Sequence, residues 1–284
     1  MRGICALYGT ETDLRLSHII PKFAIDYMKK TGTQFLRKID EPDKRIQDGL
    51  KLYLLGEKAE QEFSKRERWF ANSIFFPYLQ TNPKSLTYDE NLAYFLISVL
   101  WRVLLEQLTH EEVSNDTRLS FLRSVSEEWR LFLSEYKFPY LYNDLHIFFT
   151  DRIKLNTSEL KNADVFFTRN IDATIVVNKD YSEVVIYAKF LRFIFWCNVK
   201  GINNNDKSTK VDYLSGTINF PQEMHHDFMI GFFGNRIRTF NSIPDLSDER
   251  KKKVNSFIMR NEEKFWESDL GQALRNDSNI NKPS

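Results

Sequence analysis

Residues 14–23 read LRLSHIIPKF, a polar Ser17-His18 pair set between two apolar couples and followed at once by Pro21. A run that alternates apolar and polar residues reads as a half-buried strand. Proline removes a backbone donor and fixes φ, so the strand must stop before residue 21. The pair therefore sits at a strand end. An imidazole there suits a general base when a neighbour orients it, and a satisfied structural histidine in the same position is the competing reading.

Working outward, short β elements and the turn signals TGT (31–33) and QDG (47–49) surround this stretch. EKAEQEFSKRERWF (57–70) follows, rich in helix formers, with Ala59, Phe63 and Phe70 at helical spacing. Residues 1–80 are thus expected to form one compact N-terminal module. After the breaker TNPKS (81–85), residues 89–108 place Leu92, Leu96, Val99, Val103 and Leu104 on one side of a helix. Residues 117–136 do the same with Leu119, Leu122, Val125, Trp129 and Phe132. The two should make a helical hairpin over 81–137.

Beyond Pro139 the texture turns aromatic and β-branched. LHIFF (145–149), ADVFF (163–167), ATIVVN (173–178), EVVIYAKFLRFIFWCNV (183–199) and GTINF (216–220) are expected as strands of a mostly antiparallel sheet, although the 183–199 run also allows a helix start. Residues 246–270 read as helix and NDSNINKPS (276–284) as disordered. The fold class expected is α+β: a small N-terminal module, a helical hairpin, and a β-rich region over 138–284 ending in a helix.

The 284 residues carry 40 Lys+Arg against 39 Asp+Glu, so no global basic field argues for nucleic acid and any such binding must come from local patches. No run approaches the length of a membrane span and the N-terminus lacks an apolar signal core, so a soluble cytoplasmic protein is expected. Cys5 and Cys197 exclude a four-thiolate zinc site within one chain.

The stretch CALYGTETDLRLSHIIPKF, followed by QDGLKLYLLGEKAEQEFSKRERWF, resembles the HNH endonuclease family, whose ββα-metal or His-Me finger motif would span roughly residues 5–70. SHIIPKF and EQEFSK look like those of a subset of bacterial proteins identified as HNH nucleases. The resemblance implies His18 as the general base that deprotonates the water attacking a phosphodiester. It implies Glu60 as principal ligand of Mg²⁺ or Mn²⁺, with Ser17 and Ser64 as secondary ligands. The four zinc-knuckle positions fall on Cys5, Tyr8, Gly56 and Ala59, so no structural zinc is expected, and packing by Tyr8, Phe63 and Phe70 is a candidate replacement. The family's setting is restriction, phage defence or mobile elements, with DNA the expected nucleic acid and a protein partner possible through the C-terminal region.

KKTGTQFLRKIDEPDKR (29–45) lies between His18 and the helix and carries Lys29, Lys30, Arg37, Lys38, Lys44 and Arg45 beside Phe35, diluted by Asp40, Glu41 and Asp43. Phosphate contact and an ordinary solvated loop both fit it. ERKKKVNSF (249–257) reads as the polar face of a helix. His225 and His226 are adjacent and would rarely share a metal; His110 reads as a helix C-terminal cation, His146 as structural, and Cys197 as a small buried hydrophobe. Two readings stand: a metal-dependent HNH-type endonuclease, and a catalytically degenerate HNH-fold subunit kept for nucleic-acid binding or scaffolding.

Overall fold

In the computed structural model, residues 1–33, 35–38, 41–150, 161–201 and 207–280 are described. Strand β1 (Arg2–Ile4) pairs antiparallel with β2 (Glu11–His18), and Pro21 caps helix α1 (Lys22–Lys30), so the strand end anticipated at His18 is where β2 stops. A two-residue ladder, β3 (Leu36–Arg37) with β4 (Arg45–Ile46), closes the insertion. Strand β5 (Lys51–Gly56) then returns along β2, with Ser17 opposite Leu52 and His18 opposite Lys51, to give the order β1-β2-β5.

Helix α2 (Glu57–Phe70) follows directly and packs on β2 and β5, burying Ala59, Phe63 and Phe70. It matches the expected helix residue for residue. The chain continues through a π turn (Ala71–Phe75) into α3 (Phe76–Thr81) and β6 (Ser85–Asp89), none of which the sequence pattern indicated.

Helix α4 (Glu90–Gln107) is the centre of the molecule. Every residue from Leu92 to Leu104 is buried, so it is a core helix rather than one with a single apolar side. Asp89 caps it by accepting the Asn91 amide. The short α5 (Glu111–Ser114) leads to the second helix of the hairpin, which is split into a 3₁₀ turn (Thr117–Leu119) and α6 (Leu122–Glu135). Helices α4 and α6 pack together, with the Tyr94 hydroxyl donating to the Leu133 carbonyl at 2.7 Å.

Strand β7 (Asp144–Phe149) opens the C-terminal region. Residues 163–167, expected as a strand, form helix α7 (Ala163–Arg169) instead. The Asp277 carboxylate accepts the amides of Asp164 and Val165, both at 3.0 Å, and supplies from a distant helix the cap that overrides the β propensity of the phenylalanines. Strand β8 (Ile171–Val177) comes next, and the 183–199 run is two strands, β9 (Val184–Phe190) and β10 (Phe193–Lys200), turning at Leu191 with φ of 53°. The sheet order is β7-β10-β9-β8, antiparallel throughout. Strand β11 (Ser215–Asn219) pairs with β6.

The rest of the region is helical: α8 (Asp227–Asn241), α9 (Asp248–Arg260), α10 (Glu262–Glu267) and α11 (Asp269–Ile280). Helices α9 and α10 fall where 246–270 is read as helix, whereas the sequence pattern indicated neither α8 nor α11, which runs on past residue 270. Residues 276–280, expected as disordered, belong to α11; residues 281–284 of that expectation lie outside the described residues. The chain is α+β with antiparallel sheets. One apolar cluster runs from Cys5 through Phe95 to Ile218 and joins residues on both sides of positions 80 and 137. Among the described residues no helix is long and apolar enough to cross a membrane.

Candidate functional site

The β2–β5 pair presents alternate side chains to opposite faces. Arg15 and Ser17 face α2: Arg15 pairs with Glu57, and the Ser17 hydroxyl, 1% exposed, donates to Oε1 of half-buried Glu60. The structure therefore brings Ser17 and Glu60 into direct contact with each other. Ser64, one turn further along α2, is exposed.

His18 follows Ser17 in the strand and turns the other way, to Asp48. Its Nε2 lies 2.9 Å from Asp48 Oδ1, and Asp48 also accepts the Lys51 ammonium and the Gly49 amide. Burial works to raise the Asp48 carboxyl, but the hydrogen bonds from Lys51, His18 and Gly49 outweigh it and hold the group well below the ordinary carboxylate range. An ionised carboxylate can only accept, so Nε2 carries the hydrogen in this pair and a neutral ring keeps its lone pair on Nδ1. Asp48 lies in the QDG turn and carried no signal in the sequence beyond a change of direction.

The backbone of the pair is held from behind. Arg102, 3% exposed in the middle of α4, donates to the His18 carbonyl at 2.8 Å and to Glu67 at 2.9 Å, while its Nε donates to the Ser98 carbonyl at 3.1 Å. A buried guanidinium with three acceptors is a joint that ties strand β2, helix α2 and helix α4 to one another.

At the knuckle positions, Cys5 Sγ accepts the Gly56 amide at 3.4 Å, Ala59 is fully buried, and the Lys58 ammonium lies 4.6 Å above the Tyr8 ring. Phe63 meets Trp101 and Tyr94 edge-on, and Phe70 stacks on Phe95 at 4.1 Å. Aromatic packing against α4 thus ties helix α2 to the core.

Mg²⁺ or Mn²⁺ seeks several oxygen ligands with at least one free carboxylate among them. The set present here is one carboxylate already accepting a buried hydroxyl, that hydroxyl, and an exposed serine. Among the described residues no three His, Cys, Asp or Glu side chains gather as a metal-holding group. This donor set does not fit a resident divalent cation.

The basic segment divides. Lys29 donates to the Gln47 carbonyl at 3.0 Å, Lys44 pairs with Glu41 at 3.1 Å, and Lys38 is exposed. Arg37 and Arg45 stand directly opposite each other in the β3–β4 ladder, and the Arg45 guanidinium lies 3.9 Å over the Phe35 ring. Lys30 lines a recess with α9 and α10.

Of the remaining histidines, His146 is fully buried and bonds Thr209, His226 bonds Asn198, His225 pairs with Glu223, and His110 with Glu106. Cys197 is fully buried and burial pushes its thiol pKa up, as expected for a small hydrophobe.

No family model, curated protein or solved structure matches the chain.

Proposed function

We propose that the protein is a nucleic-acid-binding subunit built on a catalytically degenerate HNH-like ββα module, serving in the prokaryotic restriction or phage-defence setting that the resemblance implies. The observation that carries this reading is the Ser17–Glu60 hydrogen bond. It closes one against the other the two side chains that would have to open towards a cation. The Arg102 clamp on the His18 carbonyl gives the neighbouring strand end a structural task. A partner surface is supported by Phe138, Tyr140, Leu141 and Leu214, which stand exposed around the end of the helical hairpin and the chain leading to β11.

The second reading, hydrolysis of nucleic-acid phosphodiesters, is favoured by one feature, the His18–Asp48 pair, which leaves Nδ1 as the proton acceptor a general base needs.

Incubation of plasmid and single-stranded DNA with the protein and Mg²⁺ or Mn²⁺, for wild type, His18→Ala and Glu60→Ala, separates the two. Retained binding without cutting is the expected result. Metal-dependent cutting that both substitutions abolish overturns it in favour of the nuclease.

A further inference from the structure

Three adjoining recesses run along the seam between the 29–45 segment and the C-terminal helices. The largest, about 200 Å³, is shared by the segment, α7, α8 and α11. The second, about 20 Å³, continues from it past Phe35 and Arg37 to α9, and the third, about 90 Å³, begins at Phe257 and reaches α10. Phe35 and Arg37 line both the first and the second, and Phe257 lines both the second and the third, so the three form one path.

The charges along that path are of one sign. Lys30, Arg37, Arg45, Arg169, Lys253 and Lys264 all line it, and no acidic side chain does so among the described lining residues. In a chain with 40 basic and 39 acidic residues this segregation is local and specific. The acids nearby are spent at the rim: Asp43 accepts the Ser247 amide at 3.0 Å and so fastens the start of α9 to the insertion, Glu41 holds Lys44, and Glu249 pairs with Lys253. Two arginines opposed in a two-residue ladder repel each other, and Arg250 adds to the repulsion at Arg37. A bound polyanion relieves that cost.

The largest recess differs from the others. Its walls are mostly apolar, with Arg37, Arg169 and Asn170 among its lining residues. Bases in a duplex are stacked and cannot enter such a recess, whereas an unpaired base can.

We infer that this path binds single-stranded nucleic acid, with phosphates along Arg37, Arg45 and Lys253, bases against Phe35 and Phe257, and one unstacked base turned into the largest of the three recesses. A cationic groove interleaved with aromatic rings is the general solution for an unpaired strand. The inference rests on the nucleic-acid-binding reading above and gives it a location and a strand preference.

Fluorescence polarisation with labelled oligothymidylate and a labelled duplex tests it on the full chain, for wild type, Arg45→Glu, Lys253→Glu, Phe35→Leu and Asn170→Leu, each checked for an unchanged thermal midpoint. The single strand is expected to bind more tightly than the duplex. Each charge reversal should weaken it about tenfold and reduce the slope of log affinity against log salt by about 0.7 for each phosphate that is no longer neutralised. Phe35→Leu should weaken it about tenfold by removing the stacking ring. Asn170→Leu should lower single-strand affinity and leave the duplex unchanged. Wild-type binding that the folded variants all retain overturns this location and leaves the function above intact. Equal or tighter duplex binding overturns the strand assignment, and no binding by wild type overturns both readings.

Discussion

His18 Nε2 and Asp48 Oδ1 lie 2.9 Å apart although 30 residues separate them, and Lys51, directly across the ladder from His18, binds the same carboxylate. Asp48 is thus the point where strand end, turn and returning strand meet. Asp48→Asn should lower stability by about 1 kcal/mol at neutral pH, the value of a charge-assisted hydrogen bond partly open to water. The sign of its pH dependence follows from the lowered carboxyl. A group depressed in the folded state stabilises above its unfolded value, near 3.8, and that stabilisation is lost as pH falls through the folded value. Urea unfolding at a series of pH values should show a constant gap between wild type and variant at neutral pH that narrows below about 3.8.

Arg102 makes a sharper prediction because it is buried on all sides. Arg102→Ala removes the donor to the His18 carbonyl and leaves the half-buried Glu67 without its cation. The expected cost is about 3 kcal/mol, since breaking a buried pair from one side strands the other charge. Arg102→Met combined with Glu67→Gln should recover a large part of it. Amide exchange at Ile19, whose N–H is bonded to the Leu50 carbonyl at 3.0 Å, should accelerate in the single variant more than in the double one.

What the sequence disclosed depends on how local the cause was. Helix α2 was legible because strong formers and the Ala59-Phe63-Phe70 spacing act within one helix. The strand end at His18 was legible because Pro21 acts on its neighbours. Helix α7 was not, since its cap comes from Asp277, more than one hundred residues away in the chain. Helix α8 was hidden by Gly231 and Gly234 in its interior, which lower its local propensity although its buried side, Met229, Phe233 and Ile237, keeps the helical spacing. Ser17, His18 and Glu60 were named through the resemblance, and Ser17 and Glu60 do meet. Asp48 escaped because a turn residue shows no periodicity. Residues 249–257 read as a solvated helix face because nothing in their own sequence tells that Lys253 and Phe257 look across at Phe35 and Arg45.

Aromatic packing between helices α2 and α4 can be weighed directly. Phe95 stacks on Phe70 at 4.1 Å with an interplanar angle of 15° and is fully buried on α4. Phe95→Ala should cost about 3–5 kcal/mol, the range for deleting a buried ring. Phe35→Ala, at a ring that is 40% exposed, should change stability by only about 0.5 kcal/mol. Chemical denaturation of the two variants beside wild type measures both values, and comparable losses at the two sites would contradict a core centred on α4.

Lys189 gives the last prediction. Its side chain is fully buried in β9, and Nζ donates to the carbonyls of Asn170 and Leu191 at 3.0 and 2.8 Å, two acceptors that match the two N–H bonds of an uncharged amine. Burial is the main cause that brings its pKa down to about 7, with Asp172 opposing and Arg169 reinforcing the shift. Between about 7 and the ordinary lysine value of 10.5 the unfolded chain holds a proton that the folded chain lacks. Stability therefore rises with pH across that window, by up to about 1.4 kcal/mol per pH unit from this one group. Lys189→Met keeps the length of the side chain and removes the titration, so its unfolding free energy should be flatter over the same range. An identical slope in wild type and variant would mean that the amine stays charged in the fold, held by Asp172 instead of by the two carbonyls alone.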